Sequence, residues 1–177
     1  NVKGNWMNDG SYVANTTGSI TVLSGTAQVI GGSSSTVFRR LTVNATSSVS
    51  LSGNISVTGA SSMLTVYGVI DPGSPGYTIT SGGAIRIYGN GKLKVNAATF
   101  TGNYLFTGIV TMFSGAIIEY SSTVTNQVVS SAYAYSVLII SGSGIKSLAA
   151  NLPALVSNNS STGKIIVNGG TFDLGTY

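Results

Sequence analysis

Apolar side chains recur at every second position along most of this chain, and clusters of Gly, Ser and Asn interrupt them. A period of two places alternate side chains on one face of an extended strand, whereas a helix needs a period near 3.6. Leu41 and Val43, Val49 and Leu51, Ile55 and Val57, Leu64 and Val66, Ile85 and Ile87, and Leu93 and Val95 all follow it. Ile20 and Val22, Ala27 and Val29, and Ile165 and Val167 are read in the same way, as inward-facing pairs. Most of these residues are β-branched, which suits a pleated, half-buried surface. The breaks, such as Gly31-Gly32-Ser33, Gly82-Gly83 and Gly89-Asn90-Gly91, supply the positive φ values of tight turns. Strands of about four to six residues with turns about every 8 to 12 make the chain all-β. The one helix-like stretch, residues 148–156, contains Pro153 and is expected to be a loop or a single turn.

The sequence also resembles itself at a distance. FRRLTVNATSSVSL, starting at Phe38, aligns with YSVLIISGSGIKSL, starting at Tyr135, 97 residues on. Gln28 aligns with Gln127, 99 residues on, and Asp71 with Asp173, 102 residues on. Residues 1–177 therefore read as one continuous segment holding just under two copies of a unit of about 100 residues, with the copy boundary near residues 97–105. A parallel β-solenoid (β-helix) of short stacked strands accommodates this pattern. At roughly 18 to 22 residues per coil it would give about eight or nine coils and a rod about 40 Å long. Two tandem β-sandwich repeats are the alternative. The lack of a hydrophilic linker between copies favours the solenoid, as do Ser, Thr and Asn suited to side-chain ladders.

Composition narrows the function. Only 7% of residues are charged, against about 25% in an average soluble domain. The net charge of +4 rests on eight Lys/Arg and four Asp/Glu, with Arg39-Arg40 the sole adjacent basic pair. Such scattered cations make no nucleic-acid patch. There is no Cys and no His, so disulfides, thiolate metal sites and histidine general bases are excluded. No apolar run is long enough to span a membrane as a helix. The chain opens without Met and without a signal peptide, and reads as a segment of a longer protein.

The acids are Asp9, Asp71, Glu119 and Asp173. Glycoside hydrolysis needs two carboxylates about 5 to 10 Å apart, and on a solenoid Asp71 and Glu119 fall on neighbouring coils. Asp71 and Asp173 recur at equivalent places, however, which suits turn formation better. Neither a P-loop nor a glycine-rich calcium repeat is present. No catalytic residue, metal or cofactor is therefore expected. The remaining candidates are tyrosines: Tyr67, Tyr77, Tyr88, Tyr120, Tyr133 and Tyr135 form a potential ligand-binding strip that would stack on sugar rings. Trp6 is expected to anchor inward or to contact a neighbouring coil.

Trp6, Asn8, Gly10 and Tyr12 make a W-x-N-x-G-x-[FY] opening. Gly18, Ile20, Val22, Gly25, Gln28 and Ile30 continue it, followed by Phe38, Leu41, Val43 and Asn44 and then Gly68, Ile70 and Asp71. In this the chain resembles the large extracellular repeat proteins of Bacteroidetes-type bacteria. The resemblance implies export to the cell surface, often by the type IX route, and a role in adhesion, surface filaments or gliding. It brings no catalytic residues. The expectation is a non-enzymatic structural or adhesive segment of a secreted or cell-surface protein. Its expected partners are further repeats of the same chain or identical subunits, with surface polysaccharide next, and neither nucleic acid nor membrane insertion. A carbohydrate-binding module and a polysaccharide-active enzyme are the alternative functions.

Overall fold

The computed structural model describes residues 1–14, 18–73, 76–157 and 162–177. Its first five coils carry three short strands each. They are β1 (Trp6–Met7), β2 (Tyr12–Val13) and β3 (Ile20–Leu23), then β4 (Gln28–Gly31), β5 (Thr36–Phe38) and β6 (Arg40–Val43). Next come β7 (Ser48–Leu51), β8 (Ile55–Val57) and β9 (Met63–Val66), and β10 (Val69–Asp71), β11 (Ile79–Ser81) and β12 (Ala84–Ile87). The fifth coil holds β13 (Lys92–Val95), a single helical turn α1 (Phe100–Asn103), β14 (Tyr104–Phe106) and β15 (Val110–Met112). The later coils are two-stranded: β16 (Ile117–Tyr120) with β17 (Gln127–Val129), β18 (Val137–Ile140) with β19 (Ile145–Leu148), and β20 (Lys164–Val167) with β21 (Thr171–Asp173).

Like stacks on like. Strands β1, β4, β7, β10, β13, β16, β18 and β20 form one eight-stranded sheet that runs the length of the molecule. Two five-stranded sheets, β2 to β14 and β3 to β15, complete the lower coils, and β17, β19 and β21 form a three-stranded sheet above. Pairing is parallel throughout, as in Leu41 opposite Leu64 and Ile118 opposite Leu138. The fold is a β-solenoid of about seven turns. The antiparallel pairing of tandem sandwiches does not occur among the described strands.

Several coils are longer than an 18–22 residue period gives. Ile118 meets Leu138, 20 residues on, but Leu138 meets Ile165, 27 residues on. The extra length lies in corner segments such as residues 149–157, which carry no strand. The single helical turn lies elsewhere than the one helix-like stretch of the sequence. Residues 148–156 are not helical, whereas α1 is, with the Thr99 hydroxyl capping Gly102 N at 3.1 Å. Four residues are too short for helical periodicity to register in a sequence.

The core is a set of columns inside the spiral. Leu41, Leu64 and Ile85 stack in one, Val43, Val66 and Ile87 in the next, each at most 1% exposed. Two of the alternations are in the opposite phase from that expected. In β3 the inward residues are Thr21 and Leu23, which lie opposite Leu41 and Val43, while Ile20 is 50% exposed. In β4 they are Gln28 and Ile30, and Val29 lies outward opposite Ser50. Both phases of Ile20–Leu23 are partly apolar, so the sequence leaves the register open. In β4 a buried polar residue, Gln28, holds the inward slot. Ile165 and Val167 take the inward register but sit on an edge strand, at 39% and 53% exposure.

The residues that repeat at 97–102 positions lie on different sides of the spiral. Leu41 is in a five-stranded sheet and Leu138 in the eight-stranded one; Gln28 is in the eight-stranded sheet and Gln127 in the three-stranded one. Yet their local chemistry matches. Gln28 Oε1 accepts from Gly25 N, and its Nε2 donates to Val2 O and Gly4 O; Gln127 accepts from Ser122 N and donates to Val95 O and Ala97 O. Asp71 and Asp173 each accept the N–H two residues on, from Gly73 and Gly175. What recurs is a way of turning a corner.

Where coils turn together, close approach dictates glycine. Gly32 has φ +111°, and a Cβ there would lie 2.3 Å from Asn8 O of the coil beneath.

The column assignment is testable by equilibrium denaturation. Leu64→Ala should cost about 2–5 kcal/mol as a fully buried truncation, while Ile20→Ala should change stability by less than about 0.5 kcal/mol. The reverse order would show that the phase of β3 is misassigned.

Candidate functional site

Three groups of chemically capable side chains stand out. The first lies on the outer face of the eight-stranded sheet, where alternation points every second residue to solvent. Asp71 on β10, Lys94 on β13 and Glu119 on β16 occupy one row across adjacent strands. Lys94 Nζ is 2.9 Å from Asp71 Oδ2, and Lys92 Nζ is 2.8 Å from Glu119 Oε2. Asn96 donates to Asp71 Oδ1 at 2.7 Å and accepts from Ser121 at 2.6 Å; Ser141 donates to Glu119 Oε1 at 2.8 Å. A shallow cleft of about 230 Å³ lies over Asp71, Lys94, Asn96 and Ser121.

The electrostatics of this row oppose acid catalysis. Burial pushes the Asp71 carboxyl up, but Lys94, Gly73 N–H and Asn96 outweigh it and hold it below its ordinary value. Burial likewise raises Glu119, and Lys92 and Ser141 outweigh it. A glycosidase needs one carboxyl held protonated near neutral pH. Both of these stay ionised. Lys94 also stands between them in the row. Among the described residues no group of three or more His, Cys, Asp or Glu is placed to hold a metal.

The second group is aromatic and divides the six tyrosines. Tyr67, Tyr88 and Phe113 stack down one outer corner, with ring centroids 5.0 and 4.2 Å apart and interplanar angles of 19° and 8°. Each ring closes a face of the next, so the column offers stacking only at its ends. Tyr77 is 36% exposed and stands apart from these ring contacts. Tyr133 is half-buried against Phe100, at 4.9 Å. Tyr120 and Tyr135 are fully buried and cannot meet a ligand. The expected strip of six is thus not one surface. The buried pair lies in the first two-stranded coil, Tyr120 on β16 and Tyr135 just before β18. Their hydroxyls are 3.3 Å apart, with Ser130 N donating to Tyr120 and Tyr135 donating to Ser130 O. Trp6 packs on Tyr12 and Phe38, at 4.7 and 5.2 Å, as an anchor within the first coils.

The third group is buried and was not singled out from the sequence. Lys146 projects inward from β19, fully enclosed, in register with Gln127. Its ammonium donates to Ser122 O at 3.0 Å and to Ser143 O. Burial lowers its pKa. Like the two glutamines, it ties corner carbonyls, and a Lys within IKSL carries no signal of that in sequence. Asn103, also enclosed, accepts from Asn96 N and Ala97 N and donates to Tyr77 O, fixing α1 to the coil below.

No known protein family matches the chain, and neither a curated protein nor a solved structure is similar to it.

The ionisable groups predict the pH dependence of stability. Burial raises the phenol of Tyr120 to about 12, and those of Tyr104 and Tyr135 are raised too. A raised phenol contributes stability that is complete below pH 10 and is lost as pH climbs through 12. The lowered Asp71 and Glu119 act the other way, losing their contribution as pH falls below the ordinary carboxyl range. A plot of Tm against pH should therefore fall at both ends, and Tyr120→Phe should flatten the alkaline fall between pH 10 and 12. An unchanged alkaline limb in that variant would remove Tyr120 from the account.

Proposed function

We propose that this chain is a structural and adhesive segment of a secreted or cell-surface protein, serving as part of a stalk or filament. One observation carries the reading: a single sheet of eight parallel strands connects the first coil to the last. Such a ladder spreads stability along an axis, because each coil rests on its neighbours. The outer faces support the same role. On the long sheet Lys92 pairs with Glu119 and Lys94 with Asp71, and Ser, Thr and Asn make up much of the remaining surface. The sequence resemblance to extracellular repeat proteins points the same way. Further repeats of the chain, or identical subunits, would continue the ladder at β20 and β21, where Ile165 and Val167 of β20 are exposed and Leu174 follows β21.

Sedimentation of the 177-residue chain should show association that grows with concentration, and Ile165→Lys with Val167→Lys should abolish it. A strictly monomeric wild type at high concentration would refute pairing between chains. Antibody labelling of intact cells of the source organism should reach the segment; labelling only after permeabilisation would refute a surface role.

A further inference from the structure

The spiral changes cross-section after its fifth coil, and the change leaves a ledge. Strands β14 and β15 end their five-stranded sheets, and among the described residues no strand lies on their far side. The following coil runs instead from β16 to β17, with Val128 bridging to Thr99.

Three independent features meet on this ledge. One is the backbone. Ile109 O and Phe113 N are bonded to β12, through Ile85 N and Ile87 O. Alternation along a strand then directs the N–H and C=O of Val110 and Met112 to the open side. A second is the core. Val110 and Met112 top the columns of Leu64–Ile85 and Val66–Ile87. The four residues beneath are fully buried, but Val110 and Met112 are only half-buried. The last is the aromatic column. Tyr67 and Tyr88 end in Phe113, which is 38% exposed and has no described ring on its other face.

We propose that this ledge is a docking site for an extended, uncharged segment of a partner polypeptide, which adds to β15 as a parallel strand. Unpaired strand edges bind extended peptides through the backbone and select them by alternate side chains. The chain itself displays the pattern required. Leu64-Thr-Val66-Tyr67, Ile85-Arg-Ile87-Tyr88 and Val110-Thr-Met112-Phe113 place two aliphatics in the columns and an aromatic in the stack. The fitting segment is thus aliphatic, any residue, aliphatic, aromatic. Residues 104–113 carry no charge, so a charged segment would gain no partner there. A whole coil of a second copy does not fit, because β16 already occupies the position above β13 that its first strand would need.

The probe is a synthetic peptide copying residues 61–68, SSMLTVYG, which is uncharged and has the required pattern. On titration into the whole chain, it should slow hydrogen exchange at the amides of Val110 and Met112. Phe113→Ala in the protein, or Tyr67→Ala in the peptide, should weaken binding about three- to tenfold, as befits the loss of one aromatic contact. Thr65→Pro in the peptide removes the donor that faces β15 and should abolish binding. No protection at millimolar peptide overturns the proposal. So does protection confined to β20 and β21, which places the peptide at the other edge. Protection of Val110 and Met112 by concentrated protein alone, without peptide, also overturns it, in favour of self-association.

Discussion

Every element here depends on parallel backbone pairing between successive coils. A strand of three or four residues has no independent stability. Placed in register on a like strand, its amides and carbonyls are satisfied and its inward side chains extend a column already desolvated. The two effects reinforce each other, because a slip of one residue would turn the columns out to solvent. This explains why corners and core are built together. Gln28, Gln127 and Lys146 spend inward positions on holding corner carbonyls, and the aliphatic columns continue beside them.

The same arrangement accounts for the quiet chemistry of the surface. Outward residues on adjacent strands are held at strand spacing, so opposite charges meet as Lys94 meets Asp71, and neutral hydroxyls and amides bond along the row. A carboxylate in such a row is stabilised in its ionised form. That is the reverse of what an acid catalyst requires.

Much of this was legible in the sequence, and the reasons differ by residue. Leu41 to Val95 follow alternation so cleanly that strand, phase and parallel stacking can be inferred from them. The failures occur where a single side chain serves two demands. Gln28 is polar yet inward because it ties a corner, which shifted the phase of β4. Tyr120 and Tyr135 look like surface aromatics in composition but are buried in the first two-stranded coil, hydroxyl against hydroxyl. The loss of the third strand has no local signature in the sequence, because it is visible in which strands stack on which. The ledge above β15 was hidden for the same reason, since a missing neighbour leaves no mark on the strand it would have covered.

The step in cross-section also divides the molecule mechanically. Below it three sheets brace each coil; across it, among the described strands, the eight-stranded sheet is the one that continues, joined on the far side by the Thr99–Val128 bridge, the Gln127 side chain and the Phe100–Tyr133 contact. Torsion applied at one end therefore passes through that seam chiefly by way of the eight-stranded sheet. The Tyr120–Tyr135 pair is packed just above that seam, so the narrowing of the spiral and a pair of buried aromatic hydroxyls fall in the same coil.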